Sequence, residues 1–196
     1  MDAVVREKLS LHGFGDLAWR LFLNGQRRNI FDRALNTFGI NPDAALVDEL
    51  VATYRAHPPS ISLANDAIEC LNALRHHCSL ALITDGPPAS QENKIRALGL
   101  QQWIPFTILT GNWGSAFSKP HPRAFVMAQQ QSGTSPEHCW YVGDNPLKDF
   151  ASPQQLGWRT VRIKREGGLY THLDNVRCPD YQFDNLHPLT SIVSQA

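Results

Sequence analysis

The chain has 196 residues, with 18 Lys and Arg against 18 Asp and Glu, so its formal charge is zero. That balance argues against a general electrostatic binder of nucleic acid. The 42% hydrophobic share, with thirteen Gly and thirteen Pro, excludes a disordered chain and suits one core plus a small appended domain. Four cysteines, Cys70, Cys78, Cys139 and Cys178, make no C-x-x-C pair and read as reduced packing thiols of a cytoplasmic protein. His76 and His77 are adjacent, so they point in different directions from a helix and make no zinc pair. The first eleven residues carry Asp2, Arg6, Glu7 and Lys8 and no apolar segment, so no signal peptide is read there. No run reaches the length of a membrane span, so no membrane partner is expected.

Residues 2 to about 56 read as helices throughout. Val4, Val5 and Leu9, then Leu17, Leu21 and Phe22, recur at helical spacing. Gly13-Phe14-Gly15 interrupts them as a helix–helix turn, since no strand precedes it and a third glycine is missing. Ile30, Phe31, Ala34, Leu35 and Phe38 form a further apolar face, stopped by Gly39. Asn41 is the expected cap of the next helix, with Pro42 at its first position. Arg20, Arg27, Arg28 and Arg33 give the region a basic face, either a solvated surface or a lid for an anionic substrate.

His57-Pro58-Pro59 punctuates the chain, and the period changes after it. Asn65 or Asp66 is expected to cap a helix carrying Ala67, Ile68, Leu71 and Leu74. Leu80 to Ile83 is a short apolar run that ends in Thr84-Asp85-Gly86-Pro87-Pro88, a buried strand and then a turn. A helix ends at Gly99, and Phe106 to Leu109 is the next strand. Lys119-Pro120-His121-Pro122 precedes a helix with Phe125, Val126 and Ala128. Trp140 to Val142 is a third strand, broken by Gly143 and followed by Asp144 and Asp149. Ser152-Pro153 opens a short helix, Arg159 to Ile163 alternates as an edge strand would, and the tail from Asp180 to Val193 holds a last strand and helix. Strands alternating with helices imply βαβ units, hence an α/β, Rossmann-like parallel sheet with helices on both faces.

Three strand ends or loops carry groups capable of chemistry. Thr84, with the amides of Asp85 and Gly86, makes a hydroxyl-plus-amide cradle for phosphate at a strand-to-helix turn. Taken singly, Thr84 is equally an ordinary strand-end residue. Lys119 would neutralise an anion if fixed beside carboxylates, and is otherwise a solvated loop lysine. Asp144 and Asp149 are acidic groups placed where open α/β sheets bind ligands. Two close carboxylates need a cation, a proton or a lysine between them, and Mg²⁺ suits such oxygen ligands; the alternative is an Asp-rich turn.

Ile83-Thr84-Asp85-Gly86, Lys119-Pro120-His121-Pro122 and Gly143-Asp144-Asn145-Pro146-Leu147-Lys148-Asp149 resemble, in this order, motifs two, three and four of the haloacid dehalogenase superfamily of phosphohydrolases. Gly157-Trp158-Arg159-Thr160-Val161 is similar to the strand that follows motif four. The resemblance covers about residues 56 to 165, and residues 1–56 resemble the small helical cap of the capped subgroup, leaving 57–196 as the core. It implies that Thr84 binds the transferring phosphoryl group and that Lys119 stabilises its charge. It also implies that Asp144 coordinates Mg²⁺, with Asp149 supporting the metal directly, through water or through Lys119. The substrate class it implies is a small phosphorylated metabolite.

Nothing in the sequence matches the family's first motif, D-x-D-x-T/V, which carries the nucleophilic Asp and the acid/base Asp. Asp2, Asp16, Asp32 and Asp43 all lack the strand or the second carboxylate. In the family that strand is central in the sheet, between the strands ending at Thr84 and Asp144. A slot is therefore expected there, with unpaired backbone groups that invite strand exchange or a homodimer. The expectation is a truncated phosphatase, inactive as it stands, or else a non-catalytic binding or regulatory protein of the same fold.

Overall fold

The computed structural model describes residues 2–26 and 28–194; Arg27, expected on the basic face, lies outside them, as do the side chains of residues 2–4 and 194. It divides into two compact units, Met1–His57 and Pro58–Ala196.

The first unit holds helices α1 (Asp2–Leu9), α2 (Phe14–Leu23), α3 (Ile30–Thr37) and α4 (Ala44–Ala56). The helical periodicity resolves into one core of Val5, Phe14, Ala34, Leu35 and Leu50, flanked by Leu17, Leu21 and Phe31. Phe14 anchors it, with ring centroids 5.9 Å from Phe31 and 6.4 Å from Phe38. Asn41 is not the cap of α4. Asp43 is: its extended backbone precedes the helix and its carboxylate accepts a 2.7 Å hydrogen bond from the Leu46 amide. Arg20, Arg28 and Arg33 are exposed.

The second unit runs α5 (Asn65–Leu74), β1 (Ala81–Thr84), α6 (Pro88–Ala97), β2 (Phe106–Leu109), α7 (Arg123–Ser132), β3 (Trp140–Gly143), α8 (Ala151–Gln155), β4 (Arg159–Ile163), β5 (Tyr181–Phe183) and α9 (His187–Ser194). Asp66 does not cap α5. It lies inside the first turn, 7% exposed, and accepts from Arg165 and from the Leu186 amide, tying three distant segments together. The Arg165 hydrogen bond is the main reason its carboxyl sits below the usual range. All four cysteines are free thiols.

All strand pairs are parallel, and alternation along the strands sorts the side chains onto two helix-covered faces. Ile83, Ile108 and Tyr141 pack against Phe125 and Ala128 of α7. On the other face Val142 and Val161 pack against Cys70 and Leu74 of α5 and Leu189 of α9. The layer under α7 therefore draws on strands of both ladders.

The ladder is in two pieces, β1-β2 and β3-β4-β5. β1 is paired in a ladder only to β2, and β3 only to β4. The other edge of each carries backbone groups that no ladder pairs among the described residues.

β4, expected at an edge, is central in its sheet, with β3 on one side and β5 on the other. Its polar residues do not mark a solvated face. Thr160 and Arg162 are 0% and 1% exposed, and both bond internally, Thr160 to Asp180 and Arg162 to Asn175 and two carbonyls.

Candidate active site

Thr84, Asp85, Gly86 and Asp144 stand at or just past the carboxyl end of a strand, where a parallel sheet presents its ligand crevice, while Asp149 lies six residues past β3 and Lys119 lies in the long connection before α7. Thr84 ends β1, with Asp85 and Gly86 in the turn to α6. The Thr84 hydroxyl donates to Gln91 Oε1 at 2.8 Å. Gly86 has a φ of +118°, a left-handed backbone that disfavours any larger residue, and a Cβ there would lie 2.9 Å from the movable end of Gln91. Gln91, in the first turn of α6, is thus bonded to the Thr84 hydroxyl at the start of this turn.

Asp85 was read for its backbone amide alone. Its carboxylate proves to be the knot of the site. Oδ1 accepts from the Thr110 hydroxyl at 2.9 Å and the Lys119 amide at 3.1 Å, and Oδ2 pairs with Lys148 Nζ at 2.6 Å. Lys148 follows β3, so this pair joins the ends of two strands that no ladder connects. Burial works to raise the Asp85 pKa, but the hydrogen bonds from Lys148 and the Lys119 amide outweigh it, and the carboxyl titrates below its ordinary value. The folded pKa is depressed, so the ionised pair stabilises the protein above the unfolded value of about 4 and is lost as pH falls through the folded value. Asp85→Asn is therefore expected to flatten the acid limb of stability below about pH 4, measured by urea unfolding across pH 2 to 6. An unchanged acid limb would remove this role.

Lys119, joined to Pro120 by a cis peptide bond, sits before α7 with its side chain 10% exposed. Its ammonium lies 2.8 Å from Asp149 Oδ1 and donates to the Tyr141 hydroxyl at 2.7 Å. Of its three N–H donors, two are thereby directed and one remains. Burial, then the negative charges of Asp149, Asp85 and Asp144, push the Tyr141 phenol well above its usual pKa, so it stays protonated.

Asp149 is 2% exposed. Oδ1 takes Lys119, and Oδ2 accepts from the amides of Asp144 at 3.2 Å and Asn145 at 2.9 Å. Gly143 makes this possible, because a Cβ there would lie 2.6 Å from Asp149 Oδ2. Asp149 thus shapes the loop after β3 and fixes Lys119, with both oxygens already accepting. Asp144 differs. It is exposed, and among the described residues no cation lies within ion-pair distance of it. Desolvation on its inner side, followed by the charge of Asp149, raises its pKa.

Lys119 and Asp149 are in direct contact, and Asp85 joins both lysines. The side chains of Thr84 and Asp144 contact neither lysine directly. Tyr141, Thr110 and Gln91 were missed from sequence. Tyr141 carried one signal, a phenol in an otherwise apolar strand, since a buried Tyr hydroxyl usually finds a partner. Thr110 comes directly after β2, but nothing local showed that Asp85, in the turn after β1, would be its partner.

The family model of haloacid dehalogenase-like hydrolases matches residues 17–163. A phosphoserine phosphatase from Thermus thermophilus is 34% identical over 142 residues, 71% of this chain and 55% of that protein. The rat N-acylneuraminate-9-phosphatase is 27% identical over 134 residues, 68% of this chain and 52% of the relative. The chain spans about half the length of these curated relatives. Among solved structures, a magnesium-bound HAD-hydrolase, YfnB from Bacillus subtilis, superposes with a TM-score of 0.70 at 20% identity, covering 97% of this chain and 88% of that one. The 2-haloacid dehalogenase from Pseudomonas syringae gives 0.65 at 22% identity, covering 98% and 87%. These two establish the fold, and the family match establishes descent. The chain belongs to the haloacid dehalogenase-like hydrolases.

Proposed function

We propose that this chain carries the site of a Mg²⁺-dependent phosphomonoester hydrolase acting on a small phosphorylated metabolite in the cytoplasm. The observation that carries the reading is the clamped Lys119. A lysine held by Asp149 and Tyr141 with one donor to spare, in a unit where β1 ends in a hydroxyl, Thr84, and a carboxylate, Asp144, follows β3, suits an anionic reacting group. The phosphatases among its relatives point the same way.

On this reading the Thr84 hydroxyl and the turn amides of Asp85 and Gly86 hold the phosphoryl oxygens. Lys119 neutralises charge that grows there, and Asp149, Tyr141 and the Asp85–Lys148 pair hold these groups in register. Asp144 fits a hard divalent cation: it is exposed, acidic and without a cationic partner among the described residues. Mg²⁺ there would offset phosphoryl charge. Asp149 supports that position through Lys119 and the loop amides. The nucleophile would be a carboxylate on a strand lying between β1 and β3.

Mg²⁺ is expected to raise the unfolding temperature of this chain, by the equivalent of about 2.7 kcal/mol at a hundredfold excess over Kd. Asp144→Asn should abolish the effect. A Mg²⁺ shift that survives Asp144→Asn would overturn the metal assignment.

A further inference from the structure

Arg162 is a charge with no counter-charge. It lies on β4 opposite Gly143 and is 1% exposed. Nη1 donates to Asn175 Oδ1 at 2.7 Å, and Nη2 donates to the Tyr170 and Leu173 carbonyls at 2.8 and 2.9 Å. Nε is buried without a partner. All these acceptors are neutral, and no carboxylate among the described residues lies within ion-pair distance. A guanidinium taken out of water is costly unless something offsets its charge.

A cavity of about 160 Å³ adjoins it, lined by Arg162, Lys164, Arg165, Tyr170 and Thr171, with Asp144 at one wall. A water takes about 30 Å³ of liquid, so the space admits an ion the size of phosphate. Arg165 is already paired with Asp66 at 2.7 Å, whereas Lys164, like Arg162, has no acidic partner among the described residues. Two unmatched cations thus face one carboxylate. The wall from residue 165 to 171 is preformed. The Gly168 amide donates to Arg165 O, the Thr171 amide donates to Gly168 O, and the Thr171 hydroxyl donates to Arg165 O.

We infer that this cavity is a second anion site, separate from the Thr84 cradle, which takes a small oxyanion, phosphate or carboxylate, to balance Arg162 and Lys164. Its physical logic is charge balance: the fold holds the guanidinium rigid with neutral carbonyls and leaves its field to a ligand.

Amide shifts of the isotope-labelled chain, titrated with inorganic phosphate or with acetate at constant ionic strength, test this. Saturable shifts at Gly168 and Thr171 are expected. Their apparent Kd should rise at least fivefold in Lys164→Ala and further in Lys164→Glu, and should be unchanged in Thr84→Ala. Saturation by phosphate, by acetate or by both supports the site and names its anion. Shifts at Asp85 and Gly86 report the proposed phosphate cradle independently, so their absence counts against that cradle alone. The inference is overturned if Gly168 and Thr171 show no saturable shift, if the Lys164 variants leave it unchanged, or if Thr84→Ala removes it.

Discussion

Joining a strand-forming segment that ends in Asp-x-Asp ahead of residue 1 is expected to raise Mg²⁺-dependent hydrolysis of p-nitrophenyl phosphate by roughly 10⁴-fold or more over the 196-residue chain, the order lost when a nucleophile is removed from an intact site. The reason lies in the split ladder. β1 and β3 are each paired on one side only, and their carboxyl ends carry Thr84 on one side of the gap and Asp144 on the other. On the proposed reading, a parallel strand between them would satisfy both edges at once and deliver its terminal carboxylate between Thr84 and Asp144. Asp144→Asn in the longer chain should erase the gain. Turnover by the 196-residue chain itself, lost on Asp144→Asn, would show that the inserted strand is not needed. Mg²⁺ binding without hydrolysis in either chain would favour a binding protein that retains the cradle.

Lys119→Met is expected to destabilise the second unit by about 3–5 kcal/mol, because it strands Asp149 as a buried, uncompensated carboxylate. For a protein of this size that lowers the unfolding temperature by roughly 10 °C. The side chains of Lys119 and Asp149 are 10% and 3% exposed, so solvent cannot replace the lost partner. Surface pairs behave differently. Lys8 and Glu49 are 43% and 49% exposed, and Lys8→Met should cost less than about 1 kcal/mol. The double variant Lys119→Met with Asp149→Asn should recover part of the loss, since no buried charge is stranded and the amide oxygen still accepts from the Asp144 and Asn145 amides. If Lys119→Met proves as mild as Lys8→Met, the clamp is not the structural centre of the site.

Much of the fold was legible in the sequence because its strands are short apolar runs between turn residues. Phe106–Leu109 and Arg159–Ile163 form as read, and the strands after Leu80 and at Trp140 differ by a single residue at their ends. The ordered motifs were legible for the same reason: Thr84 and Asp144 close or follow such runs, so strand position alone places them at the ligand crevice.

What only the tertiary structure decided is how the polar groups pair. Lys148 meets Asp85 across 63 residues of chain, and the Lys119 amide meets the same carboxylate across 34. No local pattern specifies such partners, because they depend on where whole strands are set by core packing. The same holds for Asp149, two oxygens of identical chemistry that packing assigns to Lys119 on one side and to the loop amides on the other. It holds for Arg162 as well. Its sequence neighbours suggested a solvated edge, yet a segment folding over it from residues 170–175 buried it with neutral partners. Periodicity reports which side chains avoid water; which polar atoms replace that water is settled by contacts far apart in the chain.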